Sequence, residues 1–409
     1  MKELVYFSDT LSNGLRIMHL PTTSPVFYCG YAIGAGTRDE SPDEFGLAHF
    51  VEHMLFKGTT HHNSWYILNR MEEVGGELNA YTTKEATYIY SVFMESEFKR
   101  ALNLMTDLVF HSVFPLKEIE KEVDVILDEI NSYEDSPSEL IFDDFENMLF
   151  AGHALGHNIL GDQKSLLRFN TKTGQSFLSR FYVPENMVLF SMGRIDYSKI
   201  LKMAERALDG IDFATSLHQR KAPEVIPPVS SLFHKDTHQS HVLIGGRACS
   251  MYDERRFPLF LLTNILGGPG MNSRLNVVMR ERNGLVYNVE ANTTLYTDTG
   301  LASVYFGTDP KNREKACALL YKELSKLRDV KLSTTQLAAA KKQIKGQLGV
   351  SNDNREDLFL SFGKSGLHYH CYNSLSEIFD KIDQVKAEDI LAAANEVFAP
   401  EHLFTLNYE

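Results

Sequence analysis

The stretch "GLAHFVEHMLFKG" (46–58) places His49, Glu52 and His53 within five positions of an otherwise apolar run. On a helix, residues i and i+4 lie one above the other, so His49 and His53 present two imidazoles on one face of a single rigid element. Glu52, at i+3 from His49, shares that side. Neutral imidazoles are good donors to a borderline ion such as zinc, and burial in an apolar helix favours the neutral form. A carboxylate beside such an ion is placed to take a proton from metal-bound water. The chemistry implied is metal-assisted hydrolysis, which needs a third protein ligand and one position open to solvent.

The third ligand is sought in "PLKEIEKEVDVILDEINSYED" (115–135), a carboxylate-rich helical pattern. Glu122 and Glu129 are seven apart, two turns along one face, and Val125 with Ile126 is expected to turn that side toward the core. One of the two glutamates can ligate and the other can accept the N–H of a ligating histidine, which fixes the ring. Spacing alone does not choose between them, nor does it exclude Glu118 or Glu120.

These residues need rigid elements to hold them. Strand patterns at "GLRIMHL" and "VFYCGYAIGAG" precede a helix expected over 44–56, and a second helix starts at Asn63 or Ser64 and stops at Gly75–Gly76. "ATYIYSVFM" alternates like a strand, and amphipathic helices follow at about 95–112, 115–134, 138–150 and 174–182. A strand at 186–193 and a helix at 196–210 complete the first half. The segment 215–231 loses periodicity and holds three prolines, which marks a domain boundary. The expected division is 1–214 with the metal site, a linker at 215–231, and 232–409. The second half repeats the order of elements of the first, which suggests an internal duplication.

The chain has 409 residues, 43% hydrophobic and 23% charged, enough for two or three domains of ordinary globular composition. A net charge of −13 argues against nucleic acid as a partner. There is no apolar run long enough for a transmembrane helix and no signal-peptide pattern, so no membrane partner is expected and a cytoplasmic protein is. The four scattered cysteines, Cys29, Cys249, Cys317 and Cys371, read as reduced thiols. His61–His62, His234 with His238, and His368 with His370 and Cys371 could form accessory metal sites, but loop or surface histidines are the better reading.

The whole pattern resembles a known family. "HFVEHMLFKGT" carries the H-x-x-E-H motif of the inverzincins. With "LSNGLRI", "GAGTRDE", "GGELNAYTTKEATYIY", "LGHNILGD", "FYVPENMVLFSMG" and "RLNVVMRERNGLVYNV" in the same order, nearly all of the chain is similar to the pitrilysin/insulysin superfamily. The similarity is to its branch of mitochondrial processing peptidase and two-domain bacterial relatives. The resemblance implies an α+β fold: two similar domains, each a mostly antiparallel sheet packed with helices, forming half of a clamshell. It implies a zinc endopeptidase acting on extended or unfolded peptides, with one Zn2+ per chain held by His49, His53 and Glu129. Glu52 is then the general base and Glu122 the support of a ligand. Arg280 and Tyr287, from the second domain, are implied to reach the substrate.

Asn79 and Ala80, in "GGELNAYTTKEA", are expected on an edge strand that pairs with the substrate backbone. A homodimer, or a heterodimer with a related chain, is implied by relatives that enclose a chamber. The alternative is a non-catalytic peptide-binding or assembly subunit. One departure is Arg194, where members of the family commonly carry an aspartate.

Overall fold

The computed structural model describes residues 5–211, 219–235 and 237–409. Two compact units emerge, each a sheet with helices on it. The first sheet contains β1 (Phe7–Thr10), β2 (Arg16–Pro21), β3 (Val26–Ile33), β4 (Glu77–Thr82), β5 (Thr87–Met94) and β6 (Met187–Gly193), in the order β1-β2-β6-β3-β5-β4. The second contains β7 (Ser230–Phe233), β8 (Ser240–Ala248), β9 (Val286–Leu295), β10 (Gly300–Thr308) and β11 (Phe404–Tyr408), in the order β7-β11-β8-β10-β9.

The duplication read from the sequence is visible in these orders. The series β2-β6-β3-β5-β4 matches β7-β11-β8-β10-β9 strand for strand. In each series the first pair is parallel and the other three pairs are antiparallel. Each sheet is therefore mostly antiparallel, with β1 added at one edge of the first.

The units are not the continuous stretches 1–214 and 232–409 that the sequence suggests. Residues 132–156 belong to the second unit, and 351–374 to the first. The reason lies in the strands. Along β3 and β6 almost every residue is buried on both faces, so each sheet needs two apolar coverings. Side chains of β3 alternate accordingly. Phe27, Cys29, Tyr31 and Ile33 join the core under α1 (Leu47–Leu55), α2 (Ser64–Glu72), α3 (Phe98–His111) and α4 (Leu116–Glu134). Tyr28 and Ala32 join a second core formed with Phe359 and Phe362 of the helix Arg355–Tyr369. That helix lies so close to the sheet that a Cβ on Gly363 would sit 2.4 Å from the Phe190 ring. In the second unit α5 (Pro137–Leu149) does the equivalent work, packing Ile141, Phe145 and Leu149 against Leu243, Leu406 and Tyr408. Burying each such side chain contributes about 1.5–3 kcal/mol. Of the expected linker, residues 215–218 lie outside the described residues, and 219–229 form neither helix nor strand.

No helix among the described residues is long and apolar enough to cross a membrane. The four cysteines are free thiols.

His19 on β2 makes a pH prediction. Its ring lies nearly parallel to those of Phe27 and Tyr197, Nδ1 is 2.9 Å from Ser191 Oγ, and buried Nε2 has no hydrogen bond. Burial lowers its pKa to about 4 from the ordinary 6.5. Between those values the unfolded chain binds a proton that the folded chain does not. Stability is therefore full above about pH 6.5 and falls as pH drops toward 4, by up to about 3 kcal/mol from this group. In denaturant titrations between pH 7.5 and 4.5, His19→Phe is expected to lose about one proton's worth of that slope. An unchanged slope would show that His19 does not contribute.

Candidate metal centre

The helix α1 is fixed at its start before it offers anything to a ligand. Gly46 caps it with φ of +90°, and a Cβ there would meet the Leu160 carbonyl oxygen at 2.6 Å, so glycine suits both the turn and the close approach. The buried carboxylate of Glu40 accepts hydrogen bonds from the backbone N–H of Gly46 (2.9 Å) and of Ala48 (2.7 Å). A carboxylate at this end complements the helix dipole and satisfies N–H groups that no helical carbonyl reaches. His157 Nε2 lies 2.9 Å from the same carboxylate, and its ring stacks on Phe45. Burial pushes the Glu40 carboxyl well above the usual range, against the pull of the Ala48 and Gly46 N–H groups.

Six of nine α1 residues face the core, which leaves His49, Glu52 and His53 on the partly exposed side. The two Nε2 atoms face each other at 3.2 Å. Glu129 on α4 brings Oε2 to 3.7 Å from His49 Nε2 and 3.5 Å from His53 Nε2. Glu122, one heptad earlier on α4, meets the other side of the ring: His53 Nδ1 lies 2.8 Å from its Oε1. Its second oxygen pairs with Lys57 Nζ at 2.5 Å. Burial raises the Glu122 carboxyl, but the hydrogen bonds from His53 and Lys57 outweigh it and hold the group ionised, below its ordinary range. Burial lowers the His53 pKa, but Glu122, Glu129 and Glu52 outweigh it and raise it, so a cation at Nε2 takes the place of a proton while an ionised Glu122 holds the Nδ1–H. Burial, with the neighbouring His53, lowers His49 to about 3, so this imidazole is neutral at any working pH.

These donors fit a divalent cation. Two imidazole lone pairs and a carboxylate oxygen crowded within 4.8 Å of one another repel unless a positive charge sits among them. A tetrahedral ion with bonds of about 2.0–2.1 Å has ligand-to-ligand edges of about 3.3 Å. The three edges here are 3.2, 3.5 and 3.7 Å. Glu129 is 43% exposed at its side chain, so solvent reaches the open side.

Glu52 lies beside this group. Thr82 Oγ1, at the end of β4, donates to Glu52 Oε2 at 2.6 Å and orients it. Burial pushes the Glu52 carboxyl above its ordinary range, and Glu129 adds to the push, while Thr82 and His53 oppose it. A carboxylate so shifted is a better proton acceptor near neutral pH.

The other expected residues are carried by other elements. Asn79 and Ala80 are half-buried on β4, the outermost strand, opposite Tyr90 and Ile89 of β5. Arg280 and Tyr287 belong to the second unit. Arg280 sits in a π-helical turn, Asn276–Glu281, a geometry frequent at functional sites. Tyr287 is exposed on β9, and its hydroxyl donates to Asp309 at 3.0 Å, a bond that raises its pKa. Val125, expected toward the core, is 46% exposed. The buried stripe of α4 runs through Ile119, Glu122, Ile126 and Ile130, and Val125 lies about 100° from Ile126 around the axis. Arg194 is a surface residue pairing with Glu95. Sequence reasoning missed Glu40, Lys57 and Thr82, three polar side chains that set the position of the others.

A profile of the insulinase family (peptidase family M16) matches residues 18–163, and one described as the peptidase M16 inactive domain matches 170–344. A protein of Rickettsia felis named as an uncharacterized zinc protease is 33% identical over 410 residues, covering 98% of this chain and 96% of its own. The chain belongs to peptidase family M16. The uncharacterized zinc protease YmxG of Bacillus subtilis is 30% identical over 406 residues, 97% of each chain. The fold is shared with a protease from Helicobacter pylori, at a TM-score of 0.92, 20% identity and complete coverage of both chains. An M16 inactive domain from Pseudomonas fluorescens has the same TM-score at 18% identity, covering 99% of this chain and 98% of its own.

Proposed function

We propose that this M16 chain is a zinc-dependent endopeptidase for extended or unfolded peptides. The observation that carries the reading is the meeting of His49 Nε2, His53 Nε2 and Glu129 Oε2 within 4.8 Å, with Glu52 on the same helix face. A complete donor set with a base beside it favours catalysis over a non-catalytic binding role. The relatives named as zinc proteases support the choice of metal, as do two imidazoles and one carboxylate as donors.

When bound, zinc supplies an acidified water and polarises the scissile carbonyl. The remaining work belongs to the chain. Glu52 accepts the proton of the attacking water and returns it to the departing amine, so no net proton is consumed. Glu122 keeps the His53 ring in one tautomer and orientation. The free edge of β4, around Asn79 and Ala80, pairs with the substrate main chain, which accepts many sequences but requires an extended one. Arg280 and Tyr287 are the substrate contacts assigned to the second unit, with the Tyr287 hydroxyl exchanging Asp309 for the carbonyl oxygen or the substrate backbone as its acceptor.

The test is cleavage of an unstructured peptide by the purified chain, with and without a chelator, beside metal analysis. Cleavage at one zinc per chain, lost on chelation and regained on adding zinc, is expected. Zinc binding without cleavage would favour the non-catalytic role, and cleavage indifferent to chelation would overturn the metal reading.

A further inference from the structure

A second group of donors stands apart from the first, on the turn that leaves α1. Asp107 and His111 are i and i+4 on the last two turns of α3, and His61 reaches them from the turn. His61 Nδ1 lies 2.5 Å from Asp107 Oδ1, and His111 Nδ1 lies 3.2 Å from the same oxygen. The two rings stand edge to face at 4.8 Å. All three donor atoms fall within 4.8 Å of one another.

The arrangement is held by the chain itself. Thr59 Oγ1 donates to the other Asp107 oxygen at 2.5 Å and accepts from the backbone N–H of His61 and His62. The turn is tied to the end of α3 by the N–H of Thr60 on the His111 carbonyl and the N–H of Val113 on the Gly58 carbonyl. So the three side chains are gathered before any ligand arrives, and an ion has only to open the 2.5 Å His61–Asp107 contact to the edge of about 3.3 Å that it imposes.

Two features point to a cation. Asp107 is buried, and its ion-pair partners among the described residues are these two imidazoles. His111 Nδ1 is a buried atom that makes no hydrogen bond, although it is aimed at an oxygen already taken by His61. In the tautomer with its proton on Nε2, His111 presents a lone pair to a carboxylate oxygen, and a positive ion between the two turns that repulsion into attraction. The His61 ring is 56% exposed, which gives an entry path and an open position for water.

We propose that His61, Asp107 and His111 bind a second divalent transition-metal ion of the zinc class, independent of the ion at α1 and α4. Two imidazoles and one carboxylate suit zinc, cobalt or nickel rather than calcium or magnesium, which take oxygen ligands. Because one ligand is an exposed turn residue, this ion is the weaker of the two. Its binding clasps the turn that carries Lys57, the partner of Glu122, to the end of α3.

The metal-free full chain, dialysed against buffered zinc and analysed for bound metal, tests this. Wild type is expected to bind one zinc more per chain than His61→Ala at saturation. His234→Ala, which removes a highly exposed histidine on the other unit, is expected to bind as many as wild type. The His61 ring is exposed, so its truncation leaves no cavity, and an unchanged far-ultraviolet spectrum checks the fold. Equal stoichiometry in wild type and His61→Ala would overturn the proposal, as would an equal loss in His234→Ala, which would mark nonspecific binding to surface histidines. Loss of the α1 ion instead would leave the difference between wild type and His61→Ala intact, so the two sites are judged separately.

Discussion

Glu52→Gln is expected to keep its zinc and lose peptide cleavage by about 10²–10⁴-fold in kcat/KM, the usual contribution of a positioned general base. The glutamine amide has the shape of the carboxylate and keeps an oxygen for the Thr82 hydroxyl, now 2.6 Å from Glu52 Oε2. What it cannot do is accept a proton. Neither metal-facing imidazole nor Glu129 is touched by the change, so metal content stays at the wild-type level. The environment of Glu52 is consistent with the role: burial raises its affinity for a proton, and the neighbouring Glu129 carboxylate raises it further. Metal analysis and peptide cleavage on the same preparation read both halves. A glutamine variant that cleaves within a few-fold of wild type would remove Glu52 from the chemistry. A variant that loses its metal would mean that this carboxylate belongs to the donor set.

Much of this site was legible because helical spacing is a strong constraint. His49, Glu52 and His53 share a face on any helix, and the apolar residues between them decide which face is inward. The choice between Glu122 and Glu129 was not legible from spacing, since seven residues return to nearly the same side. It depends on where α4 crosses α1, and that crossing is set by packing of the whole layer. Glu40 was invisible for another reason. It lies in "TRDESPDEFG", a charged stretch that reads as a solvated turn, yet it is 6% exposed. A short-range pattern cannot show that a carboxylate will be buried against a helix N-terminus six residues later.

The duplication was legible in the order of elements, but the strand orders of the two sheets and the assignment of 132–156 and 351–374 to units were not. An amphipathic helix announces that it has an apolar face. It does not say which sheet it covers. The two-sided burial of β3 and β6 was the available signal, because a continuous apolar strand demands a second covering layer. The sequence offered no reason to seek that layer in residues some 160 positions beyond β6.

Glu129→Gln is expected to weaken zinc binding by more than Glu122→Gln, and the order of the two losses is the sharper test. Among the described residues, Glu129 supplies the anionic donor atom that lies beside both Nε2 atoms. Exchanging it for a neutral amide removes both a strong oxygen ligand and the negative charge that offsets the ion. Glu122 acts through His53. Its replacement weakens the hydrogen bond that holds the ring, which lowers metal affinity by about 10–100-fold, and leaves Lys57 without its 2.5 Å partner. Competition dialysis against a chelator of known affinity gives both constants on one scale. Loss at position 129 should exceed that range, while loss at position 122 should fall inside it. Equal losses would mean that the two carboxylates share the ion. A larger loss at Glu122 would make it the ligand, and α4 would then have to turn by enough to swing its oxygen from Nδ1 of His53 to the Nε2 side.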